Sequence, residues 1–228
     1  MKRNDMKERL NLKISTFRKN SEKLILIFLI CLFVVLRPSY VQAQTHFKLD
    51  AETLILTAQR YFSIELGFSP EELQDVKLAT HVKSHEVADI TWVCLKEEHL
   101  LLALSEIDKI VYGGWVVATG RNPGQKQRVG DMRTPEGIFQ IESIEDARHW
   151  GFYEDSVTKE RIGYGPYFVR LKTGWKGIGI HGTDEDHLHE IGKNASHGCI
   201  RMANDDLLEV VEIAQVGQKI VILPKLPQ

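Results

Sequence analysis

The chain has 228 residues, 43% of them hydrophobic and 26% charged, which suits a globular fold with a sizeable core. Its 29 Lys/Arg against 31 Asp/Glu give a net charge of −2, too little positive charge for a nucleic-acid face. Three cysteines exclude a disulfide framework.

Residues 24–36 form an apolar run of 13 residues behind a stretch rich in Lys and Arg. That is short for a bilayer span and has the layout of a signal peptide, with Val41-Gln42-Ala43 offering small residues for cleavage after Ala43. Residues 1–43 are therefore expected to be an export signal, with an uncleaved membrane anchor as the alternative. The first 43 residues hold nine Lys/Arg and three Asp/Glu, so their removal leaves 20 basic against 28 acidic residues, about −8. Cys31 would leave with the signal. Cys94 falls in a strand-like run, where a core position is expected and pairing with Cys199 is the minor alternative.

Residues 44–87 are expected to be a helical N-terminal segment. Residues 50–67 read as an amphipathic helix capped by Asp50, with Leu54, Leu56, Tyr61, Phe62 and Leu66 as apolar positions. Ser69-Pro70-Glu71-Glu72 combines a cap, a first-turn proline and a capping-box glutamate, and predicts a second helix to about Ser84. Both helices are too small to bury much alone and should pack on the domain that follows.

Residues 88–224 are expected to be one mostly β domain. Short β-rich runs at 90–95, 100–104 and 110–119 suggest an antiparallel meander, followed by a polar loop over 120–134. Further strands are expected at 137–141, 167–171, 177–180 and 219–223. One late helix, capped by Asn204-Asp205-Asp206, should run to about Ala214.

Ser196-His197-Gly198-Cys199-Ile200-Arg201 carries the chemistry. A thiol is a useful nucleophile when a nearby imidazole takes its proton, and Gly198 leaves room for a carbonyl to approach the sulfur. Two histidines could serve, His197 two residues upstream and His181 eighteen upstream, and spacing alone favours neither. Ser196 is a weaker nucleophile and a turn cap. His187-x-His189, within an acidic segment, invites a metal reading, but the spacing matches no zinc motif and the segment reads as a solvated loop, so neither metal nor cofactor is assigned.

The chain resembles the L,D-transpeptidases with a YkuD-type catalytic domain. Ile180-His181-Gly182-Thr183, then fourteen residues from Gly182 to Ala195, then Ser-His-Gly-Cys, Ile200 and Arg201 follow that family's pattern. Thr134-Pro135-Glu136-Gly137-Ile138-Phe139 matches a second segment, and Gly177-Ile178-Gly179-Ile180 the strand entering the site. The resemblance implies a β-sandwich-like catalytic domain with Cys199 as nucleophile, His181 as base and the Gly182 carbonyl as its orienter. His197 would shape the site or contact substrate, and the N–H groups of Gly198 and Cys199 would hold the oxyanion.

Arg201, with Ser196, is a candidate substrate-binding residue, either clamping a carboxylate or bracing the loop. The aromatic run Trp150, Phe152, Tyr153, Tyr164, Tyr167, Phe168 and Trp175 should divide between core and a lid. The implied partners are peptidoglycan stem peptides, with a second stem, water or a wall-attached protein as acyl acceptor. A papain-like wall endopeptidase fits less well, since no His follows Cys199, and a non-catalytic wall-binding module would be expected to lose the nucleophile or the base.

Overall fold

A computed structural model describes residues 49–79, 89–155 and 157–226. The expected signal at 1–43 and the end of the predicted second helix at 80–84 lie outside the described residues.

The first helix, α1 (Ala51–Leu66), starts where Asp50 accepts a hydrogen bond from the Thr53 N–H at 2.8 Å, and ends at Gly67 with φ of 73°. Leu54, Ala58, Tyr61 and Phe62 form its buried face, as a helical period requires. Leu56 and Leu66, expected among them, point away and are exposed. The capping box of Ser69 and Glu72 forms as predicted, but α2 (Pro70–Leu73) is only 4 residues long. The chain then extends as β1 (Lys77–Leu78), parallel to Ile110 and Val111, with Val76 buried in the helix cluster. A free strand edge offered the backbone better hydrogen bonds than another helical turn.

The expected meander is β2 (Thr91–Leu95), β3 (Leu100–Ser105) and β4 (Ile110–Val116). Every residue of β2 and β3 is buried, because each face of these strands meets its own core. Val93, Leu95, Leu102 and Leu104 face α1; Trp92, Cys94, Leu101 and Ala103 face the opposite core. Registers of Cys94 with Leu101 and Val93 with Leu102 keep the two sets apart.

Three strands carry this sheet to the second core. β13 (Lys219–Leu223) lies parallel to β2 and antiparallel to β6 (Gly137–Asp146). β6 runs past the expected end at 141: residues 137–140 pair with β13, and after an irregularity between Ile141 and Ser143 the remainder pairs with β9 (Tyr167–Leu171). The order of the nine-stranded sheet is β1-β4-β3-β2-β13-β6-β9-β10-β12, with β10 (Gly179–His181) and β12 (Ile200–Arg201) forming the far edge.

Val169, Leu171, Ile180 and Ile200 from this edge meet Trp92, Leu101 and the helix α3 (Asn204–Ile213) in one core. The mostly β expectation therefore holds, with few helices around a large mixed sheet. Two small sheets were not expected: β5 (Thr119–Gly120) beside β11 (Asn194–Ser196), and the hairpin β7 (Phe152–Glu154) with β8 (Arg161–Gly163).

Candidate active site

The parallel pairing of β10 with β12 builds the site. It sets Ile180 beside Ile200 and His181 beside Arg201, so Cys199, one residue before β12, lies level with the start of β10. The Gly179 N–H points at the sulfur, and the Cys199 thiol donates to the Gly177 carbonyl at 3.1 Å. Burial pushes this thiol up to about 11, although Gly179, Arg201, Lys126 and Arg170 pull it partly back.

His181 is buried in an aromatic cage. Phe168, its neighbour on β9, stacks on the ring at 5.6 Å and 14°, and Tyr164 packs against it at 5.4 Å. The ring Nδ1 lies 2.7 Å from the Gly182 carbonyl. A carbonyl only accepts, so Nδ1 carries the proton and Nε2 keeps a lone pair. Burial, reinforced by the Arg201 charge, lowers this imidazole to about 4. The resting pair is therefore a neutral thiol and a neutral imidazole with a fixed tautomer.

The turn residues are fixed by contact. A Cβ on Gly182 would lie 2.1 Å from the Asn204 Oδ1, which accepts the Thr183 N–H at 3.1 Å. Asn204 therefore does not cap its helix as predicted; the cap position is Ala203, and the Asn204 side chain is spent on the His-Gly turn. Gly198 has φ of 132°, and a Cβ there would meet the Arg133 carbonyl at 2.8 Å. The Thr-Pro segment thus packs directly on the nucleophile turn. Its Thr134 is buried, accepts the Gly120 N–H at 2.8 Å, and is held by the buried Lys96, which also pairs with Glu136 at 2.7 Å.

Several expected roles change on contact with the geometry. Ser196 is buried; its hydroxyl donates to the Cys199 carbonyl and accepts the Gly198 N–H at 3.1 Å. It is a turn cap with no hydroxyl proton to spare for substrate. The same bond occupies the Gly198 N–H, which leaves the Cys199 N–H of the two expected oxyanion donors. Arg201 is fully buried, ion-paired with Glu190 and 3.3 Å from the Tyr153 hydroxyl. Of its two readings, a brace fits these contacts and a substrate clamp does not.

His187 and His189 lie on a 3-10 helix (Glu185–Glu190), not a loop; His187 bonds Asp184 at 2.6 Å and His189 the Asp186 carbonyl at 2.8 Å. Among the described residues no three His, Cys, Asp or Glu side chains converge as a metal site.

His197 is part of a network that the sequence did not reveal. Its Nε2 lies 2.9 Å from a carboxylate oxygen of Asp155, which is 1% exposed and also holds Arg121 at 2.9 Å. Asp155 sits at the end of β7, forty-two residues before His197, and no motif or spacing marks it. Of the aromatic run, Phe168 is buried in the core, as part of it was expected to be, whereas Trp150 and Phe152 are exposed.

The model of the L,D-transpeptidase catalytic domain, YkuD, matches residues 89–222. The chain belongs to the YkuD family. Within this family it is 29% identical over 123 residues to the candidate L,D-transpeptidase YqjB of Bacillus subtilis, covering 51% of this chain and 62% of that protein. It is 41% identical over 61 residues to the candidate L,D-transpeptidase YkuD of Bacillus licheniformis, covering 27% and 34%. The chain thus spans less than two thirds of the length of these relatives. Among solved structures, an L,D-transpeptidase from Mycobacterium smegmatis aligns with a TM-score of 0.44 and 20% identity over 59% of this chain and 58% of that one. The cell-shape-determining protein Pgp2 of Campylobacter jejuni aligns with a TM-score of 0.47 and 19% identity over 61% and 49%.

Proposed function

We propose that this YkuD-family protein is an exported cysteine L,D-transpeptidase acting on peptidoglycan stem peptides. The observation that carries the reading is the edge pairing of β10 with β12, which sets Cys199 level with Gly179, two residues before His181 on the same strand, while the Gly182 carbonyl fixes the His181 tautomer. Cys199 Sγ attacks the carbonyl of the third residue of a tetrapeptide donor, and its proton passes through His181 Nε2 to the departing amine of the terminal D-amino acid. The Cys199 N–H faces the developing oxyanion. A thioester remains, and the amine of a second stem resolves it to a 3–3 cross-link.

Low basicity in His181 is compatible with this role, because the imidazole stays neutral and ready to accept a proton above about pH 4. The apolar run at residues 24–36, behind a stretch rich in Lys and Arg, supports export, and peptidoglycan is the polymer an exported enzyme of this family would meet.

The test is mass spectrometry of purified disaccharide-tetrapeptide after incubation with the protein. A cross-linked dimer with loss of the terminal residue is the expected product. Tripeptide alone would redirect the reading to an L,D-carboxypeptidase, and unchanged substrate would refute both. An activated acyl donor such as a carbapenem should leave one adduct, mapping to Cys199.

A further inference from the structure

The proposed reaction needs one more base than His181 provides. In the first half, the thiol proton leaves with the departing amine through His181, and the balance closes. In the second half, the acceptor arrives as an ammonium and ends as an amide N–H, so it sheds two protons. One returns through His181 to the Cys199 sulfur as the thioester breaks. The other must leave before the nitrogen lone pair can attack, and His181 cannot take it while it is needed for the sulfur.

The Asp155–His197 pair has the construction such a step requires. Asp155 is 1% exposed, and burial is outweighed by the hydrogen bonds of Arg121, Thr158 and Val157, so its carboxyl stays well below the usual carboxylate range. An ionised carboxylate only accepts, so His197 Nε2 carries a proton and donates it at 2.9 Å. With Nε2 as the donor, the lone pair of an unprotonated ring lies on Nδ1, which makes no hydrogen bond among the described residues. His197 is 31% exposed, with Tyr153 at 5.7 Å on one side, and lies two residues before the nucleophile. His181, by contrast, is buried and oriented by a backbone carbonyl.

We propose that His197 is a second general base, dedicated to deprotonating the incoming amine, and that Asp155 is the positioning residue that fixes its tautomer. The inference rests on the transpeptidase reading above. It divides the chemistry between two histidines: His181 moves the proton of the sulfur, and His197 takes the surplus proton of the acceptor ammonium and passes it to water. Arg121, on the same carboxylate, holds Asp155 ionised and fixed in place.

The experiment separates the half-reactions in the full-length protein. Thioester formation from a tetrapeptide donor is followed by intact mass, and its transfer is then timed with two primary amines, one protonated and one neutral at the assay pH. In His197→Gln and Asp155→Asn, transfer to the protonated amine should slow by about 10²-fold. Transfer to the neutral amine should slow by less than about threefold, and thioester formation far less than transfer to the protonated amine. His197→Gln keeps an N–H for Asp155, so it carries the test even if Asp155→Asn does not fold. Equal slowing with both amines, or no slowing with either, would overturn the second base. Absence of any thioester in the unsubstituted protein would instead overturn the transpeptidase reading itself.

Discussion

The two ends of the sheet are held together by opposite means. Around β2, β3 and β4 the contacts are apolar on both faces, with α1 closing one side and Trp92, Leu101 and Ile220 packed on the other. Around β10 and β12, and the small sheet of β5 and β11, the ties are polar and largely buried: Lys96 to Glu136, Lys126 to Asp131, Asp155 to Arg121 and His197, and Arg201 to Glu190. Apolar packing tolerates exchange of like for like, whereas a buried ion pair requires its partner. The first end is a scaffold, and the second holds the side chains of the candidate site in place.

The sharpest test of that division is Cys199→Ala. Turnover should fall by more than about 10³-fold, because the proposed covalent intermediate could not form. The melting temperature should be nearly unchanged, since a half-buried thiol bonded to one carbonyl contributes little to the fold. A folded variant that still trims or cross-links stems would remove the nucleophile assignment.

Next come two substitutions of similar cost and different consequence. Phe62 is fully buried and stacks on Phe68 at 5.5 Å, so Phe62→Ala should cost about 3–5 kcal/mol. Its turnover, measured well below the melting point, should stay within about threefold, because the lost contacts lie on the scaffold face. Glu190→Gln leaves the Arg201 charge buried without a counter-ion, at a cost of about 3–5 kcal/mol. Here turnover should fall as well, since Arg201 is the strand neighbour of His181. Urea unfolding with kinetics on the same samples checks both; equal effects on turnover would erase the distinction between the two ends.

The same division explains what could be read from the sequence. The scaffold strands announced themselves through apolar runs bounded by turns, and both helix starts through Asp50 and the Ser69 capping box. Reading failed where backbone pairing overrode local preference. β1 formed at a free edge where a helix was expected, and β6 continued through Glu142-Ser143 because β9 needed a partner. At the site, the His-Gly and Ser-His-Gly-Cys segments were legible because they match a family pattern residue by residue; spacing alone did not choose between the two histidines. Asp155, Glu190 and Lys96 were not, because a buried ion pair joins residues distant in the chain and leaves no periodic trace. Asn204 was misread as a helix cap for the same reason: its partner, Thr183, is twenty-one residues away.

A smaller effect is expected from acid. His181 is held at about 4 when folded against 6.5 when free, so the unfolded chain binds its proton first as pH falls. Stability is therefore lost between about pH 6.5 and pH 4, by at most about 3 kcal/mol from this group. Asp131 and Asp155, both lowered, lose their contribution only at more acidic pH. His181→Gln should flatten the stability curve in the upper window and leave the lower one intact. Unfolding curves that fall equally in both proteins from pH 6.5 to 4 would mean that the ring is not buried neutral.

The smallest effect belongs to Cys94→Ala. Cys94 lies on β2, opposite Leu101 and inside the inner core, with no exposed surface. Burial pushes its thiol up to about 12, so at neutral pH it is neither a nucleophile nor open to reagents. Replacing sulfur with hydrogen opens a small void, which should cost about 1–2 kcal/mol and leave turnover unchanged. Alkylation followed by peptide mapping reads the same fact directly. In the native protein Cys199 should react first and Cys94 only under unfolding conditions, because its exposure requires β2 to separate from both β3 and β13. Equal labelling of the two in native buffer would show that the scaffold end opens as readily as the catalytic edge, and the contrast between them would fall.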